Sequence, residues 1–472
     1  MKLQLFTGAI LVASLISFAQ DEESSPQIPT VSAEERSEPS QENMNESVKN
    51  ANADAEIFID ADDKIQEAFD EFIEAKASAG FSSYGKAHSK SGIIYYAEVD
   101  AVNGFGAKDK EFISERQGAF MRAYRKIRQN FVKYSLDSRI QSIIDSEFLR
   151  DKSAESEQET AKMSPIERLS KKVLVLSEAE LDRRLEASGI SVSEFATPAD
   201  KRKALSQSIL AKAAIHAFSS CAGISVVKTV EARGDDDGWS IGVIAKFDPM
   251  YVYYADCFAR MVRPEPSNPG VDIGLLTKGD LSQNFGTRFF YDEDGMPGLI
   301  TFAQWGVETA TDRTERKMYE ETARGMAENQ ANIDMSEFIA GSMSFDESMN
   351  AGEEWSKSIA YDERGLPISS SIDHTIIEYA NRKSVSKANV NMGGRDKFPT
   401  KIVRHPDTGH RIAIATVCWS FAKLEGERKI ESIRKDKGSA FVKEKKADEK
   451  GDIEGKTQKS RAILREGQTF DF

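Results

Sequence analysis

Residues 93–102, IIYYAEVDAV, are rich in β-branched and aromatic side chains and end on Asn103-Gly104-Phe105-Gly106, which reads as a strand closed by a tight turn. The period then changes. From Glu111 to about Ile144, Phe112, Phe120, Tyr124, Ile127 and Phe131 recur at three- and four-residue intervals, while Arg116, Arg122, Arg125 and Arg128 decorate the other positions. That spacing predicts one long amphipathic helix. A strand feeding a long helix is the nucleus from which the rest of the chain is read.

Downstream, Asp151 to Thr160 is charged and reads as a loop, and Ile166–Leu176 and Glu178–Leu185 as short helices. The next helix has a clear start, with Thr197 as N-cap, Pro198 at the first helical position and Asp200 at the third; Leu205, Ile209, Ile215 and Phe218 follow, and Gly223 closes it. Two strand-like runs, Ser225–Glu231 and Trp239–Phe247, are joined across Arg233-Gly234-Asp235-Asp236-Asp237-Gly238, a composition suited to a hairpin loop. Upstream, Ile65, Phe69, Phe72 and Ile73 lie at helical spacing. Residues 56–263 therefore form a first α+β domain of strand, helices and hairpin.

The Pro-rich segment 264–270 is the best domain boundary, and beyond it the same order returns. Leu299–Val307 is the strand, Thr311–Ile339 the helix with Met318, Met326 and Ile333 among its apolar positions, and Lys401–Arg404 with Arg411–Trp419 the hairpin across Pro406-Asp407-Thr408-Gly409. Laying Gly238 on Gly409 places Ile241 and Val243 on Ile412 and Ile414. A shorter echo sets Tyr291-Asp292-Glu293-Asp294-Gly295-Met296-Pro297 against Tyr361-Asp362-Glu363-Arg364-Gly365-Leu366-Pro367. The expectation is an α+β fold of two similar units, the second over 271–424, followed over 425–472 by a charged segment read as a frayed helix and a mobile tail.

Before the folded region, Lys2, the apolar run Leu3–Phe18 and the small-x-small ending at Ser17-Phe18-Ala19 read as a signal peptide over 1–19, cleaved after Ala19. No Cys stands at the cleavage point, which excludes a lipid anchor of the bacterial lipoprotein type. Residues 20–55 are acidic and polar with three prolines, the composition of a disordered linker. No stretch is long enough to span a membrane. A periplasmic or secreted location is expected. The formal charge of −14 argues against nucleic acid as a partner, because a phosphate backbone demands a concentrated basic surface.

Residues that could carry chemistry are sparse. Gly104-x-Gly106 lacks the third glycine of a dinucleotide fingerprint, Asp109 standing in its place, and no P-loop exists. Asp235-Asp236-Asp237-Gly238 lacks the alternating ligands and distal Glu of a calcium loop. His405 and His410 flank one turn and could meet, but HxH and HExxH are absent, and His88, His216 and His374 add no ligand spacing. Cys221 follows a helix C-terminus, where the dipole disfavours a thiolate. Cys221, Cys257 and Cys418 are compatible with one disulfide, Cys221 to Cys257 closing the shorter loop, or with three buried thiols. Trp239, Trp305, Trp355 and Trp419 read first as core. No catalytic, cofactor-binding or metal-ligating residue is singled out.

Asn103-Gly104-Phe105-Gly106 and the helix carrying Arg116, Ala119, Ala123 and Ile127 resemble the LPP-type surface lipoproteins and the N-terminal domain of flagellar assembly protein T. The resemblance spans about Ile93–Phe247, with a weaker echo over Leu299–Trp419. The chain departs from that pattern by lacking the lipobox Cys and by carrying extra helices between Arg150 and Pro198. It also resembles, in length and order, secreted bacterial proteins described as a domain of unknown function. The resemblance implies an α+β envelope module without catalytic residues and carries over no site residue. The expected function is an exported, non-catalytic binding or assembly protein without cofactors, its partner an envelope protein or glycan. The alternative is a secreted hydrolase acting on a cell-envelope or extracellular polymer, since two catalytic carboxylates can lie far apart in sequence.

Overall fold

A computed structural model describes residues 60–103, 111–148, 163–267, 270, 276–278, 281–341, 345–372, 375, 394–430 and 432. The signal segment, the 20–55 linker, the Gly104–Gly106 turn, the 151–160 segment, His374 and the tail beyond 432 lie outside the described residues. The described chain is α+β, with antiparallel sheets and long helices.

The first sheet comes from residues before the Pro-rich segment. Helix α1 (Ala61–Ala75) precedes strand β1 (Ile94–Ala101), and the long helix α2 spans Phe112–Glu147. Helices α3 (Pro165–Leu174), α4 (Glu178–Ala187) and α5 (Pro198–Ser220) follow, then the hairpin β2 (Ile224–Arg233) and β3 (Trp239–Phe247). The strand order is β1-β3-β2, all antiparallel. The caps read in the sequence form: Thr197 accepts the Asp200 N–H at 3.2 Å with Pro198 in the first turn. Ser164 and Glu167 make a reciprocal capping box ahead of α3.

Helix α6 (Pro249–Arg260) leads to the second sheet, built from β4 (Gly286–Tyr291), β5 (Pro297–Gly306), β6 (Arg395–Lys397), β7 (Lys401–Arg404) and β8 (Arg411–Ser420), with helices α7 (Arg313–Gly341) and α8 (Phe345–Ser358) between β5 and β6. Its order is β4-β5-β8-β6, and β7 also pairs with β8. The run β5-β8-β7 repeats β1-β3-β2: an opening strand, a long helix, then a hairpin whose second strand pairs back onto the first. Ile241 and Val243 of β3, and Ile412 and Ile414 of β8, all lie in one apolar cluster. The shorter echo is also a repeated turn. The Asp292 carboxylate accepts the Asp294 and Met296 N–H groups at 3.1 and 2.8 Å, and that of Asp362 accepts those of Arg364 and Leu366 at 3.0 and 2.8 Å.

The cluster shared by the sheets decides how the two halves meet. One face of the first sheet (Ile94, Tyr96, Val243) and one face of the second (Ile300, Phe302, Ile414) bury the same helix, α2, through Phe112, Ala119, Phe120, Ala123 and Ile127. On its outer face the first sheet carries α1. Gly242 permits that approach, since a Cβ there would sit 2.4 Å from Ile65 Cγ2 and 2.9 Å from the Phe69 ring. On its outer face the second sheet carries α6 and α7 over Leu299, Ala415 and Trp419. A further cluster packs α8 and Trp355 against α5, again joining residues from either side of segment 264–270.

Two sequence expectations change. Arg116, read as a surface decoration of α2, is fully buried, because it shares a face with Ala119, Ala123 and Ile127. Met318, Met326 and Ile333 point outward at 54, 39 and 37% exposure, whereas Ala323, Ala327, Ala331, Met335 and Ile339 face the sheet. Alanines at four-residue spacing let the helix lie close on β8, where the facing residues Ala413 and Ala415 are also small. Residues 421–430 are helical across the expected start of the tail at 425, and Glu427 accepts the Gly394 N–H at 2.6 Å.

Candidate functional site

A buried polar cluster sits where the halves meet, against the start of α2. The Glu231 side chain on β2 is 2% exposed and that of Arg116 0%. Arg116 Nε donates to Glu231 Oε1 at 2.5 Å, and its Nη2 to Glu231 Oε2 at 2.6 Å. The pair is bidentate. Residues from beyond segment 264–270 complete it: Arg116 Nη1 donates to Gln304 Oε1 (3.1 Å) and Nη2 to the Ser282 carbonyl (3.0 Å). Gln304 in turn donates to the carbonyls of Ser282 and Asn284 at 2.8 and 3.0 Å, and Gln283 Nε2 donates to Glu231 Oε2 at 2.9 Å.

His405, with a side chain 0% exposed, closes the arrangement from the β7–β8 turn. The Thr408 N–H donates to His405 Nδ1 at 3.2 Å, which assigns the ring proton to Nε2, and Nε2 lies 3.1 Å from Glu231 Oε2. Burial pushes the Glu231 carboxyl up. The hydrogen bond from His405 and the charge and hydrogen bonds of Arg116 outweigh that push and hold it at about 2. The cluster thus sets one carboxylate against one guanidinium, with the imidazole on the same carboxylate oxygen. Phe112 and Trp239 wall it off, their rings edge-on to His405 at 5.7 and 5.6 Å.

A carboxylate behind an imidazole is also the arrangement that prepares a general base, which makes the far side of the ring decisive. There His405 Nδ1 takes a backbone N–H, so the ring has no lone pair to offer a substrate. Both nitrogens and both carboxylate oxygens are spent inside the protein. What this geometry does is clamp Arg116 and Glu231, from the first sheet and its helix, to Gln304 and His405, from the second.

Outside the same hairpin lies a cleft of about 700 Å³. Its walls are Arg316 and Glu320 on the first turns of α7, Ile402, Val403 and Arg404 on β7, and Thr408 to Arg411 of the turn and β8, with Thr309 and Ala310 at the lip. Arg411 donates to Glu320 across the cleft, and Arg316 Nη2 donates to the Ala310 carbonyl at 3.3 Å. The Arg411 bond holds the Glu320 carboxyl below the usual carboxylate range.

His405 and His410 do come together on one aromatic ring: His410 is stacked on Phe112 at 5.8 Å, with His405 edge-on to it. Among the described residues no group of three or more His, Cys, Asp or Glu side chains is placed to hold a metal ion. The carboxylates of Asp235, Asp236 and Asp237 take partners within the protein. Asp236 accepts the Gly238 N–H at 2.8 Å, Asp235 pairs with Lys64 at 3.3 Å, and Asp237 pairs with Arg233. No disulfide joins the cysteines. Cys257 and Cys418 are buried, and burial pushes the Cys418 thiol up to about 12, which suppresses its nucleophilicity. Trp239, Trp355 and Trp419 are core residues, and Trp305 packs partly buried beside α7. Arg116, Glu231, Gln304 and the cleft arginines were not singled out. Only Arg116 carried a signal, its place on the apolar face of α2.

The chain defines an α+β protein of two antiparallel sheets about a shared helix. Residues 166–256, which run from α3 through the β2–β3 hairpin into α6 and include Glu231, match the family described as a domain of unknown function, DUF6844. No curated protein matches the chain. Among solved structures, a hypothetical protein from Francisella tularensis is similar at 18% identity and a TM-score of 0.49, over 78% of this chain and 92% of that one. Among the described residues no helix is long and apolar enough to cross a membrane.

Proposed function

We propose that this is an exported, non-catalytic envelope protein, an internally duplicated module that binds or assembles with another envelope component in the periplasm or outside the cell. The observation that carries the non-catalytic part is the closure of the Glu231–His405 pair: the imidazole has spent both nitrogens and is shut from solvent, so it holds the two sheets together instead of activating a nucleophile. The export part rests on the first 19 residues, with their apolar run and their Ser17-Phe18-Ala19 ending.

Two measurements on the full chain test the reading. Fractionation of producing cells, with mass spectrometry of the mature N-terminus, is expected to recover a protein beginning at Gln20 outside the cytoplasm. Recovery of the intact chain from the cytoplasm would remove the export claim. Assays on peptidoglycan, polysaccharide and ester substrates are expected to show no turnover, and crosslinking in the envelope fraction is expected to capture one recurring partner. Reproducible turnover on any of these substrates would instead establish the secreted hydrolase.

A further inference from the structure

We infer that the cleft beside the β7–β8 hairpin is a binding site for an oxyanion-bearing ligand, a group of the phosphate or dicarboxylate kind carrying two or more negative oxygens. The inference rests on the binding reading above and names the chemistry that such binding would recognise. It starts from charge. The chain as a whole is strongly acidic, at −14, yet this one cleft gathers Arg316, Arg404 and Arg411 against a single carboxylate, Glu320. Glu320 is neutralised by Arg411, with which it pairs directly. That leaves two positive charges facing the same space.

Neither Arg316 nor Arg404 makes an ion pair with a described carboxylate. What sets Arg316 and Arg404 apart is that both line one cavity of about 700 Å³, beside a third guanidinium, Arg411. A guanidinium offers a planar fork of donors that matches two oxygens of one phosphate or carboxylate. Arg316 is already steadied on the lip by the Ala310 carbonyl, and Thr309 and Thr408 add hydroxyl donors beside it. Ile402 and Val403 supply apolar wall, which lowers the local dielectric and strengthens each charge-assisted bond.

The start of α7 contributes little of its own. Asp312 caps it, accepting the Thr314 and Glu315 N–H groups at 2.7 and 3.0 Å, so the helix end is satisfied and the arginine side chains carry the site. The floor is rigid for a different reason. The Thr408 N–H is tied to the buried His405, and Arg411 opens β8, so the turn that presents Arg404 and Arg411 is anchored to the core.

The test titrates the full chain with inorganic phosphate in one arm and malonate in the other, at constant ionic strength made up with chloride, reading heat by calorimetry and melting temperature in parallel. Saturable binding in at least one arm is expected, and the tighter arm names the source of the oxyanion. Arg404→Gln and Arg316→Gln lie on exposed side chains and should leave the unliganded melt unchanged, while each weakens binding by about tenfold or more, the worth of one lost charge-assisted fork. No saturable binding in either arm, or binding unchanged in the doubly substituted protein, overturns the inference. Those failures are separable from failure of the binding role: a crosslinked partner captured by a protein that ignores both anions keeps that role and removes this site. Turnover on an envelope polymer with anion binding intact removes the role and keeps the site.

Discussion

Glu231→Gln should be among the most damaging single changes available to this protein. The substitution keeps the side-chain volume and removes the charge, so Arg116 loses both charge-assisted bonds of its fork and stays buried without a counter-charge, while Gln283 and His405 lose their shared acceptor. Breaking a buried pair by removing one partner costs about 3–5 kcal/mol. The depressed carboxyl gives a second figure for the same contacts. The carboxyl titrates at about 2 in the folded protein against 4.5 for an ordinary Glu. Because the folded value is depressed, the pair's stabilisation is complete above about pH 4.5 and is lost as pH falls from there toward 2; at 1.36 kcal/mol per pH unit that amounts to about 3 kcal/mol. The two figures agree. For a body of this size a loss of 3–5 kcal/mol lowers Tm by about 6–10 °C, at roughly 2 °C per kcal/mol. Urea unfolding at pH 7 measures the loss, and the same titration repeated between pH 5 and 3 should show the wild type approaching the variant. Arg116→Met combined with Glu231→Leu removes both charges and should recover part of the loss, short of the whole because His405 and Gln283 still lack an acceptor. A Glu231→Gln variant within about 1 kcal/mol of wild type, or a double variant whose loss equals the sum of the singles, would refute the clamp.

Two further expectations concern the join between the halves. Arg288 on β4 lies over the Phe302 ring with its Nε and Nη2 buried and without hydrogen-bond partners, and burial pushes it down to about 10, so Arg288→Met should stabilise the protein by about 1–3 kcal/mol in urea unfolding; a loss of stability would show that the guanidinium has a partner worth keeping. The pieces Ala55–Pro264 and Gly270–Leu424, expressed apart, should each melt without a cooperative transition by circular dichroism and regain one on mixing, because α2 fills a core that both sheets line; two cooperative melts would establish independent domains.

The strands of high contrast were legible in sequence because their pattern is local. IIYYAEVDAV, the 225–247 hairpin and the 401–419 hairpin were placed within two residues of their observed ends, and the Gly238-on-Gly409 register put matching residues into one core. β4, GTRFFY, escaped because it is six residues long and follows no turn signal stronger than its own Gly286. Helix α6, PMYVYYADCFAR, escaped because its three tyrosines read as strand residues, although Tyr251, Tyr254, Ala255 and Phe258 carry the helical period and Asp248 before Pro249 was a readable cap that does accept the Met250 N–H at 3.0 Å. The outward Met318, Met326 and Ile333 misled because the inward face is alanine, whose small side chains give a weak apolar signal and a close packing distance. Glu231 and His405 are 174 positions apart, and nothing in either neighbourhood announces the other. Pairings of that kind follow from tertiary structure alone.

The β7–β8 hairpin joins the two sites through strand geometry. Successive residues of a strand face opposite sides, so Arg404, the last residue of β7, is turned to the cleft and His405, the next in the chain, to the buried cluster. The turn between them is held by the His405 N–H on the His410 carbonyl at 2.7 Å, with Gly409 at φ +72° reversing the chain. A ligand that engages Arg404 and Arg411 therefore grips the same turn that carries His405 to Glu231. It binds that turn only as the folded protein presents it, so its binding adds to the stability of the join between the sheets, by about 2.7 kcal/mol at a free concentration one hundred times Kd. The converse follows by linkage: a change that loosens the clamp, such as Glu231→Gln, releases the turn and weakens the cleft's hold on its anion although no residue of the cleft has changed. Measuring phosphate or malonate affinity in Glu231→Gln at a temperature where that variant is still folded tests the connection, and an affinity equal to that of the wild type would separate the two sites.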